Sequence, residues 1–211
     1  MDRRRKFIDL LVKATETRDT AFGIDINGLI EHLDRTDFFI APATTKYSYC
    51  YDGGLCDHSI ALYEVLSKLN SMLVNPYPED TIIIVALLHD LYKADYYESY
   101  VTNKKIYCED GNKYDEMGRY KWVSEKAFKV KDASSRLLIG TGGVHSYMLI
   151  SSFVTLTNDE VIALVNHPIG LDASSYHSDL PHILQRCNLV ALLHSAEVLS
   201  NYCYGNIKDE L

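Results

Sequence analysis

Apolar residues recur mainly at helical spacing along the chain. Two short amphipathic helices are predicted in the first third, and Asp25 is well placed to cap the second of them. A third helix is predicted over about 57–69. The run 81–92 contains consecutive β-branched residues, yet it is longer than most buried strands, so it is interpreted as a buried helix. The first two helix faces are defined by Phe7, Leu10, Leu11 and Ala14, and then by Ile26, Leu29, Ile30 and Leu33.

Helical spacing returns after residue 144. A helix is predicted over about 144–153, and Thr157 with Glu160 has the sequence of a capping box that opens another helix, which Pro168 is expected to end. A last helix is predicted from about 181 to 202 as one continuous element. His194 lies three positions before Glu197 on the same helix face, where it is expected to support that glutamate.

Residues 104–130 have a different character. Asp110 and Gly111 form a turn signal, and aromatic and β-branched residues on both sides of it suit a small β-hairpin. The sequence therefore predicts an all-α helical bundle with a small β-hairpin excursion near residues 105–130. We expect one domain over 1–211, with N-terminal helices over 1–52 and a core over 53–205 that contains the excursion at about 104–130.

The charge balance limits the partners to expect. The 211 residues include 21 Lys+Arg and 29 Asp+Glu, which gives a formal net charge of −8. Because binding to polymeric nucleic acid depends largely on neutralised phosphates, we expect no such partner. A small phosphorylated ligand is compatible with an acidic protein, since a local cation or a metal ion can hold it. No residue run approaches the length of a membrane span, so no membrane partner is expected, and a homo-oligomer is left open.

The five cysteines favour a reducing compartment. Their number is odd and no Cys-x-x-Cys is present, so neither a disulfide framework nor a thiolate zinc site is indicated. The N-terminus is basic but lacks the apolar run of a signal peptide, which favours a cytoplasmic location. The last four residues, Lys208 to Leu211, match a retention signal of the endoplasmic reticulum. Without an entry signal, they are interpreted as an ordinary solvated helix end.

The strongest chemical signal is His89 followed by Asp90, at the end of a strongly apolar run. Polar side chains buried there need partners. His58 and Glu197, each in its own predicted helix, are candidates to share an ion with them. Imidazoles mixed with carboxylates, without thiolates, favour Mn, Fe, Co, Ni or Zn, and a contribution from Mg is left open. Such an ion lowers the pKa of a bound water and polarises phosphoryl oxygens, which suits hydrolysis of a phosphate ester.

Three successive motifs resemble those of the HD superfamily of metal-dependent phosphohydrolases, in particular its small bacterial or phage-type members. The motifs are Gly-Gly-Leu-Cys-Asp-His-Ser at 53–59, Leu-Leu-His-Asp-Leu-Tyr-Lys at 87–93 and Ala-Glu at 196–197, and the likeness extends to 36–43. The resemblance implies an HD-type helical bundle. It also implies a hydrolase that acts on a nucleotide or another small phosphorylated substrate through a metal-activated water.

The resemblance assigns roles residue by residue. The implied metal ligands are His58, His89, Asp90 and Glu197. Asp90 is also implied to orient or receive protons during catalysis, and Lys93 is implied to be a catalytic residue that contacts the substrate phosphate. His145 and His167 match two further histidines that hold a second ion or line the substrate phosphate in some branches of the family.

The chain departs from the family pattern at three places. Glu197 stands where the family usually has Asp, Ser48 stands near the place of a frequent His, and Ser-Tyr at 146–147 stands where relatives tend to have Gly and Glu. These departures keep a second function open. It is that of an HD-fold protein with weakened catalysis, which binds a nucleotide or a protein partner without efficient turnover.

Overall fold

The computed structural model describes residues 2–19, 21–136, 142–167 and 180–204. Within these ranges the chain forms eight α-helices and one three-stranded antiparallel sheet. The strands lie between the fourth and fifth helices and are β1 (Tyr97–Tyr107), β2 (Lys113–Asp115) and β3 (Gly118–Val130). In chain order the helices are α1 (Arg3–Thr17), α2 (Ile26–Arg35), α3 (Gly54–Ser71), α4 (Glu79–Leu88), α5 (Gly142–Ile150), α6 (Asn158–Asn166), α7 (Leu180–Arg186) and α8 (Leu189–Leu199).

Local capping explains where several helices begin. The Asp2 side chain accepts an N–H of the first turn of α1, and the Asp25 side chain does the same for α2, as predicted. At the start of α6, the Thr157 hydroxyl accepts the Glu160 N–H at 3.3 Å, and the Glu160 carboxylate accepts the Thr157 N–H at 2.8 Å. The predicted capping box is therefore confirmed.

The centre of the hydrophobic core is α4. Every residue of this helix from Asp80 to Leu88 is buried, so the apolar run forms a buried helix, as predicted, rather than a strand. Helices α1, α3 and α6 pack directly on α4, and α8 packs on both α3 and α6. The C-terminal end of α4 therefore delivers the residues that follow Leu88 into the region where α3, α6 and α8 converge.

The sheet has the order β1-β3-β2, and all its neighbours are antiparallel. β1 and β3 pair without interruption from Tyr97↔Val130 to Tyr107↔Tyr120. Among the described strand residues, Phe128 alone is buried. The hydrophobic core cluster contains no strand residue, so this β-ribbon lies outside the core of the described part of the chain.

The prediction of an all-α, HD-type bundle is wrong as a fold class. Helices hold 54% of the described residues, and the three-stranded sheet makes the fold a helix-dominated mixture of α and β. The predicted hairpin near 105–130 belongs to a longer ribbon, because β1 begins at Tyr97 and a third short strand is present. The ribbon exposes both of its faces. It therefore lacks the alternation of apolar and polar positions that marks a half-buried strand.

Two predicted helix boundaries also differ from the structure. α4 ends at Leu88, and a 3₁₀ turn over Leu91–Lys93 follows it in place of further α-helix. The predicted last helix is divided into α7 and α8, which a π-helical turn over Ser200–Tyr204 follows. Pro168 and Lys208 to Leu211 lie outside the described residues. None of the described helices combines the length and the apolarity needed to cross a membrane.

Candidate metal centre

Four side chains that could ligate a metal ion meet where α3, the end of α4 and α8 converge. They are His58, His89, Asp90 and Glu197, and one ligand atom from each lies within 4.8 Å of all the others. The His58 Nε2 atom is 3.2 Å from Glu197 Oε2, and the His89 Nε2 atom is 3.1 Å from Asp90 Oδ2. The structure thus brings together all four predicted ligands, two imidazole nitrogens and two carboxylates, around one point.

The start of α3 places His58 in this cluster. Gly53 has a φ of 84°, in the left-handed region that favours glycine, and Gly54 follows as the first helical residue. A Cβ atom on Gly54 would lie 2.0 Å from the Tyr49 carbonyl oxygen, so this backbone approach requires glycine. The Tyr49 ring in turn packs at 5.1 Å from the His58 ring. The Gly-Gly of the first motif therefore allows the backbone approach that positions His58.

The hydrogen bonds of His89 leave its other ring nitrogen free to act as a ligand. Its Nδ1 atom donates to the Ala86 carbonyl oxygen at 2.8 Å, which leaves Nε2 with a lone pair in the neutral imidazole. That Nε2 atom is 3.3 Å from the Nε2 atom of His58. Two imidazole nitrogens that face each other in a buried site are well suited to bind one cation. A backbone carbonyl that fixes the tautomer of a histidine is typical of metal sites.

Two buried carboxylate oxygens in the cluster lack a well-aligned hydrogen bond among the described residues. They are Asp90 Oδ2 and Glu197 Oε2. Burial alone would raise the pKa of Asp90, but the nearby Lys93 ammonium holds it well below its ordinary value. Burial would likewise raise the pKa of Glu197, and contact with His58 lowers it instead. Both side chains are therefore ionised, and buried carboxylates of this kind fit a divalent cation.

Lys93 contacts the same carboxylate. Its Nζ atom lies 2.6 Å from Asp90 Oδ2, and its side chain is largely buried. Burial would lower the pKa of Lys93, and the neighbouring Asp90 raises it, so the ammonium is charged. Lys93 follows His89 by four residues but does not continue its helix, because α4 ends at Leu88 and Lys93 reaches the cluster from the 3₁₀ turn.

The structure separates the two further histidines. The His167 Nε2 atom is 3.8 Å from Asp90 Oδ1, and its ring packs edge-on against the His89 ring at 4.7 Å. His145 instead lines a cavity bounded in part by Tyr92. In the described part of the chain, no hydrogen bond, ion pair or ring contact joins His145 to His167. His167 thus belongs to the cluster, whereas the two histidines do not form a joint second site.

Sequence reasoning missed one residue that supports the cluster. Asn201 donates its Nδ2–H to Glu197 Oε1 at 3.0 Å, and the Asn201 carbonyl oxygen accepts a hydrogen bond from the Ser48 hydroxyl. No hydrogen bond between His194 and Glu197 is found within the described ranges, so Asn201 fills the role expected of His194. The available signal was its position four residues after Glu197, one helical turn away.

Comparisons with known proteins identified no relative of this chain. The chain matched no protein-family model, no curated protein and no solved structure. The functional argument therefore depends on the residues of this chain and on their arrangement.

Proposed function

We propose that the protein is a metal-dependent phosphohydrolase that acts on a nucleotide or another small phosphorylated substrate. The observation that carries this proposal is the convergence of two imidazoles and two carboxylates, with two buried carboxylate oxygens left without a well-aligned hydrogen bond. The motif order that resembles the HD superfamily supports the same activity. The absence of cysteine from the cluster favours Mn, Fe, Co, Ni or Zn bound by nitrogen and oxygen, with Mg left open.

Each side chain of the cluster has a role in the proposed reaction. His58, His89, Asp90 and Glu197 would hold the ion, which when bound supplies an acidified water and a positive charge near phosphorus. Lys93 provides a fixed ammonium that stabilises charge on the phosphoryl oxygens. His167, next to Asp90 Oδ1, is placed to hold or move a proton there.

The substrate class follows from size and charge. The net charge of −8 disfavours a polyanion, and a single lysine at the cluster suits one small phosphorylated molecule. We therefore propose a mononucleotide or a metabolite of similar size as the substrate. None of the five cysteines, all of which lie in the described ranges, forms a disulfide, which fits a reducing, cytoplasmic location for this activity.

The test combines metal content with a substrate screen. The purified protein is analysed by mass spectrometry for bound metal and assayed against nucleoside mono-, di- and triphosphates and cyclic nucleotides with Mn or Co. We expect phosphate release that His89→Ala abolishes together with the metal. His194→Ala is the matched control, because His194 lies on α8 and forms no hydrogen bond or ion pair with Glu197 among the described residues, and this variant should retain both. Phosphate release that persists in metal-free His89→Ala would refute the proposal.

One observation favours a second function, that of a binding protein with weak turnover. The Lys93 ammonium already lies 2.6 Å from Asp90 Oδ2, an oxygen that the proposed ion needs. If this ion pair persists, the pocket captures a phosphorylated ligand or a protein partner without hydrolysing it. Tight binding of an intact nucleotide, together with the absence of bound metal and of phosphate release, would favour this function over the first.

A further inference from the structure

A cavity of about 480 Å³ lies beside the metal centre and is lined by none of its four candidate ligands. Its wall comes from α2 and the residue after it, from the turn after α4 and the residues that lead to β1, from the residues after β3, and from α5. The volume is within the range of sites for small organic ligands. The ring of Tyr92 belongs to the wall, and the next residue in the chain is Lys93 of the metal centre. The cavity is therefore distinct from the four candidate ligands and adjoins the metal centre through this turn.

Two cations, Lys131 and Arg136, line the cavity, and neither forms a close ion pair with a described residue, although the Lys131 charge favours the ionised form of the nearby Asp37 carboxyl. Arg136 donates from Nη1 to the Tyr96 hydroxyl at 3.2 Å, while its Nε atom is buried and has no hydrogen-bond partner among the described residues. A buried N–H without an acceptor costs free energy, and an anion in the cavity would supply the acceptor. In an acidic protein, a cavity wall that carries two cations, one of them with a buried N–H that no described residue accepts, favours a ligand with negative charge.

Aromatic side chains form another part of the wall. The Tyr92 and Tyr96 rings lie 5.6 Å apart in an edge-to-face arrangement. A Cβ atom on Gly142 would lie 2.4 Å from the Tyr92 ring, so the start of α5 approaches this ring as closely as only glycine allows. The ring is therefore held in place. A fixed aromatic surface beside cations is suited to a planar heterocycle that carries an anionic group.

The wall also offers hydroxyl groups and a carboxylate to such a ligand. The hydroxyl groups of Ser134 and Ser135 lie on the same stretch as Lys131 and Arg136. Asp95 is the carboxylate that lines the cavity, and one of its oxygens accepts the Asp37 N–H at 3.3 Å. A phosphate fits the cationic stretch and is repelled by Asp95, whereas the hydroxyls of a sugar can donate to this carboxylate.

We propose that this cavity is a binding site for a nucleoside monophosphate. The phosphate contacts Lys131 and Arg136, the base lies against Tyr92 and Tyr96, and Asp95 accepts hydrogen bonds from the sugar. This site goes beyond the proposed hydrolase, because it uses none of the four candidate metal ligands. Its occupant contacts the turn that carries Lys93, so it is placed to influence the metal centre.

Isothermal titration calorimetry of the purified full-length protein tests the site. The probes are the four common ribonucleoside monophosphates, the matching nucleosides and inorganic phosphate. We expect at least one monophosphate to bind, and its nucleoside and inorganic phosphate to bind at least about tenfold more weakly. Lys131→Gln and Arg136→Gln should each weaken binding of that monophosphate by about tenfold or more. Lys129→Gln is the matched control, because Lys129 pairs with Glu98 outside the cavity. The affinity of this variant for the monophosphate should equal that of the parent.

A variant of the metal centre distinguishes this site from the proposed active site. His89→Ala should bind the monophosphate as tightly as the parent, since His89 does not line the cavity. Loss of binding in His89→Ala with full binding in Lys131→Gln would assign the ligand to the metal centre and overturn the proposal. Absence of binding by every monophosphate at about 1 mM would also overturn it. Because Lys131 is only partly buried, Lys131→Gln provides a folded variant if Arg136→Gln is unstable.

Discussion

The carboxylate of Glu197 is held from two sides. Asn201 donates to its Oε1 atom, and the His58 Nε2 atom lies 3.2 Å from its Oε2 atom. We expect Glu197→Gln to lower metal affinity by at least about tenfold, because it removes ligand charge while keeping the length of the side chain. Glu197→Asp keeps the charge and should retain more metal than Glu197→Gln. Metal titrations of the two variants provide the measurement, and equal affinity of Glu197→Gln and the parent would exclude Glu197 as a ligand.

The ammonium of Lys93 has two opposing effects on the metal centre. It compensates the buried charge of Asp90 when no ion is bound. It also lies 2.6 Å from Asp90 Oδ2, an oxygen that the ion would use. Lys93→Met should therefore destabilise the metal-free protein by about 3 kcal/mol, since it leaves a buried carboxylate unpaired. Metal should restore more stability in this variant than in the parent, and turnover should fall by about 10²-fold. Thermal unfolding with and without metal, together with an assay, checks this result, and an unchanged turnover would remove Lys93 from catalysis.

The sequence identifies part of this site and misses the rest for a physical reason. His89 and Asp90 are conspicuous because polar residues in an apolar run need partners, and this argument needs no knowledge of the fold. The contact of Lys93 with Asp90 depends on the turn that ends α4, and no Pro or Gly in the sequence marks that turn. Contacts that arise from irregular backbone are not encoded in a periodic pattern.

A buried ion-pair network joins three helices. Arg18, just after α1, lies 2.9 Å from Asp80 of α4 and 2.8 Å from Glu160 of α6, and the Thr81 hydroxyl also donates to Glu160. Burial would raise the pKa of Glu160, but Arg18 and these hydrogen bonds hold it below its ordinary value of 4.5. A carboxylate with a lowered folded-state pKa stabilises the protein above its unfolded-state pKa. That contribution is lost as the pH falls through the lower, folded-state value.

Substitution of Glu160 tests this network. Glu160→Gln should lower the free energy of unfolding by about 3 kcal/mol at neutral pH, because it leaves Arg18 buried without its main partner. The difference between the variant and the parent should shrink as the pH falls below 4.5. Urea unfolding at several pH values provides the measurement. Glu79→Gln, in the exposed pair with Lys13, is the control and should have little effect. A pH-independent difference would show that the ionisation of Glu160 is not involved.

The beginning of α3 depends on Gly54, which lies close to the Tyr49 carbonyl oxygen. Gly54→Ala should destabilise the protein by about 1–3 kcal/mol, because its Cβ atom would clash with the Tyr49 carbonyl oxygen and push α3 away. His58, one turn later, would move with the helix, so metal affinity should also fall. Chemical unfolding and metal titration measure the two effects. Gly23→Ala is the matched control, since among the described residues no atom beyond its chain neighbours lies within 4 Å of the added Cβ, and a similar loss in both variants would contradict this explanation.

At the scale of the whole molecule, the core was predictable, whereas only a hairpin of the sheet was. Helix patterns in the sequence come from faces buried in the hydrophobic core, and the predicted face residues Phe7, Leu11, Leu29 and Leu33 are all buried there. The β-ribbon is stabilised by its own backbone pairing and contributes no residue to the hydrophobic core cluster. Its strands therefore carry no periodic signal beyond a turn and a group of aromatics. A pattern that reports burial cannot define the extent of an element that is exposed on both faces.

The position of the ribbon outside the core leads to a prediction for the whole fold. Lys131 donates its N–H to the Tyr96 carbonyl oxygen, so the pairs at every second position, including Tyr100 with Ala127, are the hydrogen-bonded pairs of this antiparallel ladder. Replacement of residues 101–126 by Asn-Gly should close a two-residue hairpin at Tyr100 and Ala127.

The shortened protein should fold with its metal centre intact. It loses the exposed ion pair of Lys126 with Asp52, which contributes little, and keeps the hydrogen bond from the Tyr97 hydroxyl to the Ala43 carbonyl oxygen. We expect helical circular dichroism to be retained, the melting temperature to change by less than about 5 °C, and the metal content per chain to match the parent. A shortened chain that unfolds, or that folds without binding metal, would show that the ribbon stabilises the helical core. In that case the sheet would be part of the structural unit that holds His58, His89, Asp90 and Glu197 together.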